Sequence, residues 1–332
     1  MLCWQVFLNL RLHLYNVSKI VQLEFLQQVA SGSTRVYIMA ASKPMMRLFA
    51  NRDRYFKAYE TFLVYSAKYE HQDTWTKTVL LDTIVPHLPN LNQDNELRVL
   101  GVGSGSGEVE FPFLTALLKK YPIITDRVVE PDEDQIIKYK ALVQTKGHEL
   151  QGVKFDWRQQ TLEQYRDTDG VGTKFQFISA IHSLYHVDDI HSSLMYLYDL
   201  LEPGGILISI LLSDLSGMWK FWRRTPDLCK RGLRNISSRD MLSSFDRHDI
   251  PYALSRHTSE MEITKCFDET SEDGDLLLDF CLQVSEFKKT ASATKYKEVI
   301  EHMASSECSK KDGSKILMSN DWEAVIVTKP SN

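Results

Sequence analysis

The stretch LRVLGVGSGSGE, Leu97 to Glu108, runs an apolar strand straight into a turn of glycines. The stretch VVEP follows, with Glu130 at the end of the next predicted strand. Glycines let a backbone approach a ligand closely, and a carboxylate at a strand end takes ribose hydroxyls. Such a pairing holds an adenosine-type ligand. A dinucleotide fingerprint needs G-x-G-x-x-G, and neither register supplies it: Ser106 is sixth counted from Gly101, and Glu108 is sixth from Gly103. What remains is G-x-G-x-G over Gly103, Gly105 and Gly107, with an acid directly behind it.

Outward from that turn the chain alternates strands and helices. Residues 97–102 read as the first strand, and 109–121 as a helix with Pro112 tolerated in its first turn. Residues 127–130 read as a short second strand, and 132–146 as a helix with acids at its start and Gly147 at its end. Strands are predicted at 153–157 and 175–181, then a helix at 190–201 closed by Pro203-Gly204-Gly205. Residues 206–212 form a buried strand, apolar almost throughout. This alternation predicts a parallel, doubly wound α/β sheet. Ahead of it, 52–83 has helical spacing, with Tyr55, Tyr59, Phe62 and Tyr69 along one face. Behind it, 214–290 breaks the rhythm and reads as an insert over the ligand cleft. Residues 315–318 and 324–328 are expected to form an antiparallel pair on the sheet edge.

The 332 residues are 43% hydrophobic and 25% charged, ordinary for a globular chain with a sizeable core. The net charge of −5 and the isolated basic pairs argue against nucleic acid as a partner. The five cysteines (Cys3, Cys229, Cys266, Cys281 and Cys308) are scattered, without C-x-x-C. They suit a reducing compartment better than a disulfide framework or a zinc site, so a cytoplasmic location is expected. No run reaches the roughly 18 apolar residues of a spanning helix, so no membrane partner is expected; a monomer is the default. Residues 1–38 are apolar but broken by Gln5, Asn9, Arg11 and Lys19, and Met39 opens MAASKPMMRLF like a natural start. Residues 1–38 are therefore expected to be an N-terminal extension outside the fold, with one domain over 39–332. In that domain the helices at about 50–85 and the insert at about 214–290 form a substrate cover.

The glycine turn resembles the first motif of class I S-adenosylmethionine-dependent methyltransferases, and LLEPGGILISI resembles an element that recurs before their fifth strand. The resemblance implies a Rossmann-like sheet with S-adenosyl-L-methionine beyond the carboxyl ends of its strands. Gly101, Gly103, Gly105 and Gly107 then form the cofactor turn, and Glu130 accepts from the ribose diol. Gln135 reaches the ligand from the following helix, Gln160, Thr161 and Leu162 flank the adenine, and Ile181 and His182 lie near the methionine part.

From Met39 onward the chain resembles the histamine N-methyltransferase family. The matching segments are MRLF, RYFKAYETFL, EHQ (Glu70, His71, Gln72), VVEP, EDQIIKYKALV, VKFDW, LYHVDDI, SGMWKFW, GDLLLDF and SNDWEAVIV. The family moves a methyl group from S-adenosylmethionine to a ring nitrogen of histamine, inactivating it. The resemblance implies that Glu70 binds the amine and that Asn320 reaches the substrate from the C-terminal segment. It also implies that Tyr55, Tyr59, Phe62, Tyr185, Trp222 and Phe280 wall the acceptor site. A primary ammonium suits a carboxylate and aromatic faces. Methyl transfer is an in-line displacement in which the protein supplies position and electrostatics, so no nucleophilic side chain and no metal are expected.

His182 and His186 stand where the family has Gln and Tyr. An imidazole there is either cationic, repelling sulfonium and ammonium, or a proton acceptor. These positions put the acceptor in question more than the reaction. The alternatives are a related enzyme acting on a different small amine, and a cofactor-binding homologue without turnover. Leu162 sits where a small hydroxyl residue would bond the adenine. His182, His186 and His191 with Asp188 and Asp189 suggest a metal pattern, but the acids read more simply as caps for the next helix.

Overall fold

The computed structural model describes residues 45–91, 96–229 and 236–331. The expected extension at 1–38 lies outside the described residues. Seven strands form the main sheet: β1 (Leu97–Val102), β2 (Ile124–Val129), β3 (Val153–Arg158), β4 (Phe175–Ile181), β5 (Leu201–Leu212), β6 (Ala253–His257) and β7 (Trp322–Thr328). Their order is β3-β2-β1-β4-β5-β7-β6. The first five are parallel, and β7 runs antiparallel to both of its neighbours.

Alternate residues of the strands feed two cores. Leu100, Val102, Ile178, Ala180, Leu207 and Leu211 pack on one face, while Val99, Phe177, Ile206, Ile208 and Ile210 pack on the other. A side-chain period of two makes this division, and cover on both faces explains why these strands read as unbroken apolar runs.

The helices are α1 (Arg52–Ser66), α2 (Lys68–Trp75), α3 (Glu110–Leu118), α4 (Glu133–Lys146), α5 (Leu162–Asp167), α6 (Ile190–Asp199), α7 (Gly217–Arg224), α8 (Ser238–Asp246), α9 (Glu272–Leu282) and α10 (Ala293–Met303). The predicted helix over 52–83 is broken at Ala67, which adopts the left-handed conformation at φ 48°. Beyond the break, α2 widens into a π-helical stretch, Thr76–Ile84. Gly147 ends α4 as expected and, with φ −59°, opens a short 3-10 turn.

Two expectations are corrected. Pro203-Gly204-Gly205 does not precede the fifth strand but lies within it. Gly204 takes φ +76°, its N–H donates to Lys329 O at 2.9 Å, and the pairing with β4 shifts between Phe175 and Phe177. Residues 315–318 and 324–328 do not pair with each other. Lys315–Ser319 pairs with Ser309–Asp312 and with Glu260–Glu262, while β7 lies inside the main sheet between β5 and β6. The signal passed over was Asp312-Gly313, a hairpin dipeptide, with Gly313 at φ +57°. The stretch 214–290 is more than a cover, since β6 within it supplies the sheet's edge. Among the described residues, no helix is long and apolar enough to cross a membrane.

Candidate active site

Strand order reverses at β1, so the carboxyl ends of β1 and β4 open a crevice where ligands bind. A cavity of about 790 Å³ occupies it. The turn after β1 holds Gly103, Gly105 and Gly107 at φ +64°, +56° and +80°. A Cβ would stand 2.4 Å from Ser183 Cβ at Gly103 and 2.1 Å from the Tyr139 ring at Gly107, so space as well as conformation demands glycine at both. At Gly105 a Cβ would meet nothing within 4 Å, which leaves the backbone open to a ligand. Gly101 and Gly107, expected on the cofactor, are not on the cavity wall. They shape the turn from behind, against Glu110 and Tyr139.

Glu130 follows β2 and lies on the wall. One of its oxygens accepts from Gly105 N at 2.9 Å and the other from Asp132 N at 2.9 Å. Burial raises its pKa while these N–H donors oppose the rise. Each oxygen keeps a lone pair for a ribose hydroxyl. Gln135, Thr161, Leu162 and Ile181 line the same cavity. The Thr161 hydroxyl is already engaged, capping α5 by accepting from Gln164 N. Gln160 Oε1 and Ser183 Oγ also belong to wall residues and are buried without a protein partner. Buried polar atoms need partners, so these fit a ligand as rich in hydroxyls, amines and ring nitrogens as S-adenosylmethionine.

Beneath the turn, Glu110 is buried and pushed up to about 7 by loss of water. Fully buried Asp126 is held well above the carboxylate range by burial and by the nearby Glu110.

The other end of the cavity is aromatic. Tyr55, Tyr59 and Phe62 of α1 face it, with Phe280 of α9 stacked on Phe62 at 4.4 Å between ring centres. Burial pushes the Tyr55 and Tyr59 hydroxyls up to about 12. Tyr185 and Trp222 meet edge to face at 6.2 Å. Their polar ends are tied to backbone: Leu212 N donates to the Tyr185 hydroxyl at 2.6 Å, and Trp222 Nε1 donates to Cys281 O at 2.8 Å. Two charged straps hold α1 in place. Arg52 donates to Asp132 and Asp134 at the start of α4, and Arg54 Nε donates to Asp279 of α9 at 2.5 Å. Asn320 reaches the wall just ahead of β7, its N–H bound to Ser259 O at 2.8 Å.

His182 and His186 both line the cavity. His182 sits at φ +52° directly after β4, with Nε2 3.4 Å from Gln72 Nε2. Burial, and secondly the charge of Lys68, hold its pKa well below the usual value. Loss of water lowers His186 as well. Both imidazoles are therefore neutral near pH 7, and of the two expectations for them the cationic one falls. His191, set among the metal-pattern residues, instead meets His248 at 3.2 Å between Nε2 atoms on the surface. Among the described residues, no three His, Cys, Asp or Glu side chains converge in a metal-holding group.

Glu70 departs from expectation. It is exposed on α2 and is not part of the cavity wall, whereas Lys68, Tyr69 and His71 are. At 3.6 residues per turn, a residue two positions after Lys68 points to the opposite side of the helix. Lys68 and Trp322 are site residues that the sequence reading missed. Trp322 stacks on His257 at 4.6 Å, and His257 Nε2 lies 3.0 Å from His71 Nδ1. The spacing of Asn320 and Trp322, two apart in extended chain, carried a signal for the latter. Nothing in the sequence marks the turn at Ala67 that brings Lys68 inward.

The fold and this crevice define a class I S-adenosylmethionine-dependent methyltransferase. The family profile described as a methyltransferase domain matches residues 69–258. Histamine N-methyltransferase of Danio rerio is 32% identical over 291 residues, which cover 86% of this chain and 98% of that one. The Mus musculus enzyme of that name is 32% identical, covering 85% and 97%. Histamine N-methyltransferase A of Xenopus laevis is 33% identical, covering 84% and 97%. The chain belongs to the histamine N-methyltransferase family.

Proposed function

We propose that the protein transfers a methyl group from S-adenosylmethionine to a nitrogen of a small-molecule acceptor, with histamine the first candidate. The observation that carries this reading is one continuous cavity. It joins the glycine turn and Glu130 to a wall built from Tyr55, Tyr59, Phe62, Tyr185, Trp222 and Phe280. Gly105, Glu130, Gln135 and the side chains after β3 would hold the cofactor, which supplies a methyl group on a positively charged sulfur. The chain's own work is positional. Alignment of two bound reactants is worth about 7–11 kcal/mol in ideal cases. The strapped α1 and α9 exclude water and fix the acceptor ring between aromatic faces. His182, on the wall after β4 and kept neutral by burial, adds no positive charge to repel the sulfonium.

One observation favours a second reading, the same reaction on a different small acceptor: Glu70, the expected partner of the histamine ammonium, is exposed and off the cavity wall. A steady-state assay with histamine and methyl-labelled cofactor, on protein begun at Met39, separates the two. Saturable formation of ring-methylated histamine supports the first reading. Cofactor binding without that product, together with turnover of another amine or imidazole, supports the second.

A further inference from the structure

We propose that the elbow between α1 and α2 is a carboxylate-binding subsite of the cavity, built from the Lys68 ammonium, the Ser66 hydroxyl and the uncapped N–H groups that open α2. The inference rests on the methyltransferase reading and deepens it by naming what one part of the cavity recognises.

Three observations converge on the elbow. Ala67 reverses the chain in the left-handed conformation, and no side chain caps the start of α2, so its first N–H groups are available to an anion. Ser66, 1% exposed, lines the cavity, and its Oγ has no hydrogen-bond partner. Lys68 lies on the same wall with its Nζ 3.3 Å from the Tyr59 hydroxyl and 5.5 Å from the centre of that ring. Among the described residues no carboxylate forms an ion pair with it, and loss of water lowers its pKa. The ammonium donates only to a neutral phenol, and with the unpartnered Ser66 hydroxyl on the same wall and a helix N-terminus it forms a set of donors without an anion. A carboxylate supplies the charge and the two oxygens that such a set lacks. Tyr69, the next residue, has its hydroxyl 3.3 Å from Tyr59 and lies against Ser106 of the glycine turn, which places the elbow beside the cofactor crevice.

A carboxylate reaches this point from one of two sources, the amino-acid tail of the cofactor or the acceptor itself. Calorimetry on the full chain and its Lys68→Met variant distinguishes them, with S-adenosylhomocysteine and its decarboxylated analogue as probes. If the cofactor is the source, Lys68→Met weakens S-adenosylhomocysteine by at least about tenfold and leaves the decarboxylated analogue unchanged. If the acceptor is the source, the variant binds both probes as wild type does. The wild type then methylates imidazole-4-acetate in preference to histamine, and the variant loses that preference. Lys68→Arg, which keeps the charge, retains the wild-type pattern in either case. Unchanged affinity for both probes with no acceptor preference to lose overturns the proposal, as does an equal loss for both probes accompanied by a lowered melting temperature. Failure of the wild type to bind S-adenosylhomocysteine at all overturns the methyltransferase reading, and this proposal with it.

Discussion

Glu110 and Asp126 lie under the glycine turn, and among the described residues neither has a cation as an ion-pair partner. Burial pushes the Glu110 carboxyl up to about 7 in the folded protein, from 4.5 for a free side chain. A raised carboxyl pKa means that the native state binds the proton more tightly than the unfolded chain does. Its contribution to stability is complete below pH 4.5 and is lost as pH rises through about 7. Glu110→Gln removes the titrating group. The variant is expected to gain on the wild type as pH goes from 5 to 8, by up to about 3 kcal/mol, read from denaturant midpoints at each pH. A difference that stays constant across that range contradicts this assignment. Glycines 103, 105 and 107 and Glu130 were legible because their signals are local: a turn that needs positive φ, and an acid at a strand's end. Lys68 was not, because its place on the wall depends on a left-handed Ala67. The role expected of Glu70 rested on the family resemblance alone, and the structure places that side chain exposed on α2, off the cavity wall.

Among the elements, α1 and α9 form the aromatic side of the cavity, and both are strapped. Asp279 is 1% exposed and accepts from Arg54 Nε, Glu286 N and Phe287 N, so one carboxylate joins α1, α9 and the start of the next segment. Asp279→Ala leaves three donors without their acceptor. It is expected to cost roughly 2–4 kcal/mol of stability and to raise the acceptor KM more than the cofactor Kd, because Phe280 stands on the same helix. Calorimetric melting and steady-state kinetics check both parts; equal effects on acceptor and cofactor contradict the placement. The parallel strands were legible because two-sided burial gives unbroken apolar runs. The Pro-Gly-Gly segment was misread as a stop because a strand carrying φ +76° at Gly204 has no pattern distinct from a turn. The C-terminal strands were paired wrongly because apolar character says nothing of partner; the Asp312-Gly313 turn does.

For the whole molecule, the order β3-β2-β1-β4-β5-β7-β6 puts the reversal at β1, and with it the crevice that gathers residues from Arg47 to Trp322. The alternation of strands and helices forecast this sheet, since parallel pairing requires crossovers. The antiparallel β7 inside it was not forecast, because its neighbours lie far apart in sequence. On the proposed reading, this single cavity binds S-adenosylmethionine at the glycine turn and presents its methyl group to a small acceptor. The most direct test follows label from methyl-labelled cofactor into a panel of small imidazoles and amines, with wild type and Glu130→Ala side by side. Saturable transfer to at least one acceptor by the wild type is expected, with a cofactor affinity weakened at least about tenfold in the variant. No transfer to any acceptor, or a variant that binds the cofactor as tightly as the wild type, contradicts it.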